Sequence, residues 1–333
     1  MIKVTFCFPR SIRVKLNTRC QLRCKFCHQE GCTETSDVDP KELVEAIKIL
    51  KRELGFYRIH FTGGEPTLYS EFEKLILATK KLDFINALTT NGQFRTEELS
   101  KLKKAGLDSI NLSLHTLNPY VFLNIQDVPF SIKDGAEWAR GCIERTIQNA
   151  LTANKLLETK INCVISANAI GPREVLEFCI QNNIKLRFLN DLTLGDVATD
   201  KIREILFEKK AELIGHEITL LSSSHRLDYR IGNYQFGVKC IRPFFLKSLC
   251  DGCEFKGTTK CLEGFYGIRL ENKPIRVRLC LNKSESPYVQ SLSEFLKSPQ
   301  FGEIKQEVAN AIKYLRKDSI IEEQKIKYKL NDF

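Results

Sequence analysis

Six strand-like segments, each but the last followed by a helical one, dominate the first 190 or so residues and set the fold class. The strands are 12–16, 57–61, 84–89, 109–114, 160–166 and 184–189, and the intervening helices are 40–54, 70–81, 96–104, 139–157 and 172–181. Right-handed crossovers wind such units into one parallel sheet. Six are too few to close an eight-stranded barrel, so the expectation is α/β, a partial (β/α)6 TIM-type barrel with its chemistry at the C-terminal strand ends. Cys20, Gly63, Asn91 and His115 each follow directly on a strand, which agrees.

The later chain reads differently. Residues 193–200 are a transition, a helical stretch runs to about Gly215, and 218–238 read as a hairpin turning at Gly232-Asn233. A cysteine-rich segment follows, then a helix over about 291–316 and a charged tail. The expected division is a barrel over 1–195, an extension carrying the second cysteine group over 196–290, and a terminal helix and tail over 291–333.

Thirteen cysteines, with no signal segment and no apolar run long enough to span a membrane, point to metal or redox chemistry in the cytoplasm rather than a disulfide scaffold. Cys20, Cys24, Cys27 and Cys32 crowd one loop, and Cys240, Cys250, Cys253, Cys261 and Cys280 crowd the last third. Cys7, Cys142, Cys163 and Cys179 stand alone and read as small buried hydrophobes. The net charge of +10 is spread along the chain, which argues against a nucleic-acid partner. Its largest local excess, residues 239–283, carries ten Lys/Arg against four Asp/Glu. The five histidines show no metal-ligand spacing.

Cys20, Cys24 and Cys27 have C-x3-C-x-aromatic-C spacing. Three thiolates on one short loop hold three irons of a [4Fe–4S] cluster and leave the fourth open to chelate S-adenosylmethionine (SAM). Thr62-Gly63-Gly64-Glu65-Pro66 follows the second strand. In this order the two motifs resemble the radical SAM superfamily. The resemblance implies that Phe26 packs against the adenine and that Gly63 and Gly64 admit the methionine end of SAM. Their carbonyls and the Glu65 side chain would take its ammonium. It also implies an electron donor such as ferredoxin or flavodoxin.

Thr89-Thr90-Asn91-Gly92 and Asn111-Leu112-Ser113-Leu114 look like segments of one branch, the GTP 3′,8-cyclases of molybdenum-cofactor biosynthesis. By that likeness Thr90, Asn91, Ser113 and Asn162 approach SAM, and Arg19 in Thr18-Arg19-Cys20 meets substrate. Cys250, Cys253, Cys261 and Cys280 resemble the branch's set for an auxiliary [4Fe–4S] cluster. That set has three cysteines and an open iron; four thiolates would close the cluster, and a four-cysteine zinc site is the bland alternative.

The chain also departs from the cyclases. It has His28-Gln29-Glu30-Gly31 after the cysteine loop, an apparent insertion over 118–140 that reads as a lid, and Leu330-Asn331-Asp332-Phe333 in place of paired terminal glycines. The expected function is therefore a radical SAM enzyme that takes hydrogen from a small polar substrate, a nucleotide or sugar phosphate. Arg242, Arg269, Arg276 and Arg278 are candidates to pair with the anion. Cyclisation, C–C bond formation, dehydration and epimerisation all remain open as outcomes. A peptide-modifying maturase is the second reading and a zinc- or cluster-stapled binding protein the third.

Overall fold

The computed structural model describes residues 2–8, 11–27, 37–127, 135–165, 170–191 and 194–317, with the side chains of 314–317 left out. His28, Cys32 and the chain end therefore lie outside the described residues. A first strand, β1 (Lys3–Cys7), precedes the six expected ones: β2 (Ser11–Lys15), β3 (Arg58–Thr62), β4 (Ile85–Thr90), β5 (Leu107–Ser113), β6 (Glu158–Ile165) and β7 (Lys185–Asn190). The helices between them are α1 (Pro40–Leu54), α2 (Phe72–Lys80), α3 (Glu98–Ala105), α4 (Pro119–Asn124), α5 (Gly135–Leu156) and α6 (Ile170–Asn182). Strands β2 to β7 are parallel and adjacent in chain order.

Local chemistry explains these boundaries. Asp39 caps α1 by accepting from the Lys41 and Glu42 N–H groups, Pro40 opens it, and Gly55 closes it in a left-handed turn at φ 71°. The strands largely alternate. Ile12, Val14, Ile59, Phe61, Leu88, Ile110, Leu112, Ile161, Leu186 and Phe188 are buried in the core. Their polar neighbours Arg13, His60, Asn111, Lys160 and Arg187 line the hollow interior. An all-parallel sheet covered on both faces would be apolar throughout; this alternation marks an inner face left polar.

The sheet continues past the six strands at both edges. After α7 (Asp196–Glu208) come β8 (Glu212–Thr219), β9 (Ser224–Ile231) and β10 (Tyr234–Ile241). A short helix, α8 (Lys247–Cys250), leads to β11 (Arg269–Glu271), β12 (Arg276–Arg278) and β13 (Val289–Ser291), then α9 (Leu292–Phe295) and α10 (Pro299–Lys317). The strand order is β1-β8-β9-β10-β7-β6-β5-β4-β3-β2-β11-β12-β13. β10 joins β7 in parallel and β11 joins β2 in parallel.

The hairpin turns at Gly232-Asn233 as expected, with Gly232 at φ 56°. The expected helical stretch to Gly215 ends earlier, because 212–219 forms β8 between β1 and β9. Among the described residues no helix is long and apolar enough to cross a membrane.

Phe188 fastens the added edge to the barrel: it is fully buried, pairs in register with Val238, and meets Phe236 edge-on at 5.8 Å. Phe188→Ala is expected to lower unfolding free energy by about 3–5 kcal/mol, read as a lower urea midpoint at unchanged slope.

Candidate active site

The curled sheet encloses a cavity of about 890 Å³ at the C-terminal strand ends, near the top of the usual range for ligand sites. Cys20, Cys24, Cys27, Phe26, Gly63, Gly64, Thr90, Asn91, Ser113 and Asn162 all line it, so the structure brings together every expected SAM-side residue except Glu65.

Glu65 is fully buried instead. Its Oε1 accepts from the Thr67 N–H and hydroxyl at 3.1 and 2.7 Å and from the Thr90 hydroxyl at 2.7 Å. Its Oε2 accepts from the Asn91 N–H at 2.7 Å. Burial pushes its carboxyl up, and these donors pull it back. The side chain braces the β3 and β4 turns to one another and does not face the cavity.

The glycines serve a closer contact than the expected one. Gly64 N–H donates to the Asn17 carbonyl at 2.9 Å and Glu65 N–H to the Arg19 carbonyl at 2.6 Å. A Cβ on Gly64 would stand 2.1 Å from the Arg19 carbonyl oxygen, and one on Gly63, at φ 154°, 2.8 Å from that of Asn17. The segment thus lies backbone to backbone against the residues that lead into Cys20.

The cysteine loop is held from its other side by the insertion. Lys25 N–H donates to Ile125 carbonyl at 3.0 Å, Arg23 N–H to Gln126 Oε1 at 3.0 Å, and Asp127 N–H to Arg23 carbonyl at 2.7 Å. Residues 118–127 are therefore stitched to the loop, and 128–134 lie outside the described residues.

The thiols fit iron. Cys20 Sγ faces Leu22 N–H at 3.4 Å and Asn91 Nδ2 at 3.5 Å, and Cys24 Sγ faces Gln126 Nε2 at 3.3 Å. Such donors offset the charge of cluster-bound thiolates. Burial pushes Cys24 up to about 12, so iron would displace its proton on binding. Among the described residues no three Cys, His, Asp or Glu side chains converge on a single-ion site; a four-iron cluster takes one thiolate per iron.

His115 packs edge-on against Phe26 at 4.9 Å, and its Nδ1 accepts from Val164 N–H at 3.0 Å. Burial pushes it down to about 4, so it is a neutral imidazole with its proton on Nε2.

Cys250, Cys253, Cys261 and Cys280 lie within one another's electrostatic reach, and Asn282 N–H faces Cys280 Sγ at 3.4 Å. Cys240 sits on β10 opposite His225 instead. Of the candidate arginines, only Arg269 lines the cavity. Arg19 pairs with Asp37, and Arg278 pairs with Glu271 and bonds the Cys280 and Lys283 carbonyls. Arg276 bonds the Val289 carbonyl, and Arg242 is exposed beyond β10.

Besides Arg23 and Lys25 of the cysteine loop, the cations that line the cavity are Arg13, Arg187, Lys239 and Arg269, most of which no motif singles out. A second chamber of about 710 Å³ continues below them, toward the N-terminal strand ends, and adds Arg58, Lys160 and Arg226. Arg187 Nε donates to Asn162 Oδ1 at 3.1 Å. Burial and the nearby arginines push Lys160 down to about 8.

The Radical SAM superfamily model matches residues 14–166. A GTP 3′,8-cyclase of Aquifex aeolicus is 41% identical over 263 residues, covering 73% of this chain and 76% of that protein. A probable GTP 3′,8-cyclase of Sulfolobus acidocaldarius is 27% identical over 252 residues, with 73% and 75% covered. Among solved structures, Streptococcus suis SuiB bound to S-adenosylmethionine superposes with TM-score 0.58 at 18% identity, covering 90% of this chain and 68% of that one. The anSMEcpe structure with bound AdoMet gives 0.52 at 19%, covering 88% and 82%. These two likenesses are ones of fold.

Gly64→Ala is expected to push the Arg19 carbonyl away and unseat the cysteine loop. Anaerobically reconstituted protein would then lose close to four irons per chain relative to wild type, with the far-ultraviolet circular dichroism unchanged.

Proposed function

The chain belongs to the radical SAM superfamily, and from that premise we propose that its substrate is a small polyanionic metabolite of the nucleoside phosphate class. The observation that carries this is the cationic interior: Arg13, Lys160, Arg187, Lys239 and Arg269 face a lumen that opens onto the cysteine loop. Lys239 pairs with Glu263 at 3.2 Å, and Arg226 in the lower chamber pairs with Glu217 at 3.0 Å. Buried cations need anions, and phosphate oxygens match guanidinium forks. The GTP 3′,8-cyclases among the relatives take a nucleotide by name, which accords with this reading.

Cys20, Cys24 and Cys27 would hold a [4Fe–4S] cluster, which when bound supplies the electron that splits SAM into methionine and a 5′-deoxyadenosyl radical. The chain's own groups then have separable tasks. Gly63 and Gly64 offer carbonyls to the SAM ammonium, Phe26 and neutral His115 wall the adenine side, and Ser113 and Asn162 face its ribose and carboxylate. Arg187, oriented by Asn162, with Arg13, Lys160 and Arg269, fixes the substrate's phosphate below. That leaves its ribose or base, and the C–H to be broken, toward the loop. Enclosure keeps water from the radical. A one-electron protein donor, ferredoxin or flavodoxin, serves the cluster.

Cys250, Cys253, Cys261 and Cys280 would hold a second [4Fe–4S] cluster. With four thiolates available to it, such a cluster would need no substrate ligand, and the lumen cations would anchor the substrate.

The test uses anaerobically reconstituted enzyme with SAM and dithionite. About eight irons per chain are expected, falling to about four in a Cys20/Cys24/Cys27→Ala variant that makes no 5′-deoxyadenosine. Nucleoside triphosphates should raise 5′-deoxyadenosine formation where the free nucleosides do not. Lys160→Ala should raise the half-saturating nucleotide concentration about tenfold or more, with cluster content intact. Equal stimulation by nucleosides, or by peptides alone, would refute the anion reading.

A further inference from the structure

One side chain in the lumen has no place in that mechanism. Tyr266 lines both chambers and stands at the waist between them, with Arg13, His60, Arg187 and Lys239. Lys239 Nζ lies 4.6 Å from its ring centroid, and the guanidinium carbons of Arg13 and Arg269 lie at 5.4 and 5.7 Å. Arg13 also donates to its hydroxyl at 3.4 Å. These cations come from β2, β10 and β11, and Arg187 adds its field from β7. From β3, His60 faces the same space, held neutral by burial and by Arg13 and Arg187. The carboxylates lining the two chambers are Asp127, Asp191 and Glu263 in the upper one and Glu158 and Glu217 in the lower. Glu263 bonds Lys239, Glu217 of β8 pairs with Arg226 of β9, and Glu158 pairs with Lys185. The phenol therefore stands among four cations brought together from four strands.

We infer that Tyr266 is the lumen's built-in counter-anion: its phenolate balances the cations while the lumen is empty, and an arriving substrate anion displaces that role, so that the phenolate oxygen takes a proton from solvent. This rests on the reading of the lumen as the substrate's anion site. The field of Lys239, then Arg13, Arg187 and Arg269, outweighs burial and pulls the phenol down to about 7. An added anion reverses that field and raises it again. Below pH 7 the phenol is already neutral and binding takes up no proton. Above it one proton is taken up, and affinity for the anion falls about tenfold per pH unit. The neutral phenol then donates a hydrogen bond to the bound anion, a contact a phenylalanine lacks.

Inorganic pyrophosphate is the probe, added to SAM-loaded, cluster-reconstituted enzyme and followed by absorbance near 295 nm, where tyrosinate absorbs, and by proton uptake in weak buffer. At pH 8 pyrophosphate should bleach about one tyrosinate and take up about one proton more than Tyr266→Phe does. At pH 6 the two proteins should agree. Since the probe's own titration is common to both proteins, the difference belongs to Tyr266.

The wild type alone supplies a check that needs no variant: without pyrophosphate one tyrosine should titrate near neutrality, and with it none. Pyrophosphate that binds without bleaching, or with equal proton uptake in Tyr266→Phe, would overturn the counter-anion role and leave the anion site standing. Pyrophosphate that does not bind, or binds as well to Lys160→Ala, would overturn the anion site and this inference together.

Discussion

A buried carboxylate holds this site in one piece. Glu65 has no exposure, and its two oxygens are shared among Thr67, Thr90 and Asn91. Its own N–H and that of Gly64 bond the backbone that enters the cysteine loop. Three elements far apart in sequence thus meet at one residue: the β3 turn, the β4 turn and the run before Cys20. A charged acceptor can stay buried only when donors satisfy it, and two of these donors, the Thr90 hydroxyl and the Asn91 N–H, reach it only in the assembled site. The turn is a structural clasp between two strand ends and the cysteine loop.

The second constraint is the openness of the barrel. Closed eight-stranded barrels fill their interior with layers of branched apolar side chains. Here many inward positions of β2 to β7 carry arginine, lysine, histidine, asparagine and serine among a few apolar ones such as Ile85, Ala87 and Val164, and most of their outward neighbours carry the apolar core. Arg13 on β2 and Arg187 on β7 lie at opposite ends of the six-stranded run, yet both act on Tyr266. The curl that brings them together leaves a polar hollow running from the cysteine loop through a cationic waist.

Much of this was legible in the sequence. The segment 40–54 carries an N-cap aspartate, a first-turn proline and a trailing glycine, and its helix has those ends. The six parallel strands fall within about two residues of expectation, because short βα repeats are local and strongly patterned. What escaped was non-local. β1 pairs with β8, whose residues lie more than 200 positions away, and no local signal announces that partnership. The lumen cations were hidden for another reason: Arg13, Lys160 and Arg187 are the polar members of ordinary alternating strands, and only the curl gives them a common target. Motifs favour arginines near the second cysteine group, and of those the structure turns only Arg269 inward. Glu65 belongs to the expected motif, but which way its side chain turns depends on the β4 turn, 25 residues on.

The Glu65 clasp holds the cysteine loop in place, and the proposed cluster and SAM site depends on it. The most direct test is electron paramagnetic resonance of the reduced cluster in a Glu65→Gln variant, in a background where Cys250, Cys253, Cys261 and Cys280 are alanine. The neutral amide puts N–H groups against N–H donors, which costs about 2–3 kcal/mol and loosens the Thr90–Asn91 turn. The prediction is a cluster signal of reduced occupancy that SAM no longer shifts, whereas the same background with Glu65 intact shifts on adding SAM. A full-occupancy signal with an unaltered SAM shift in Glu65→Gln would contradict the account.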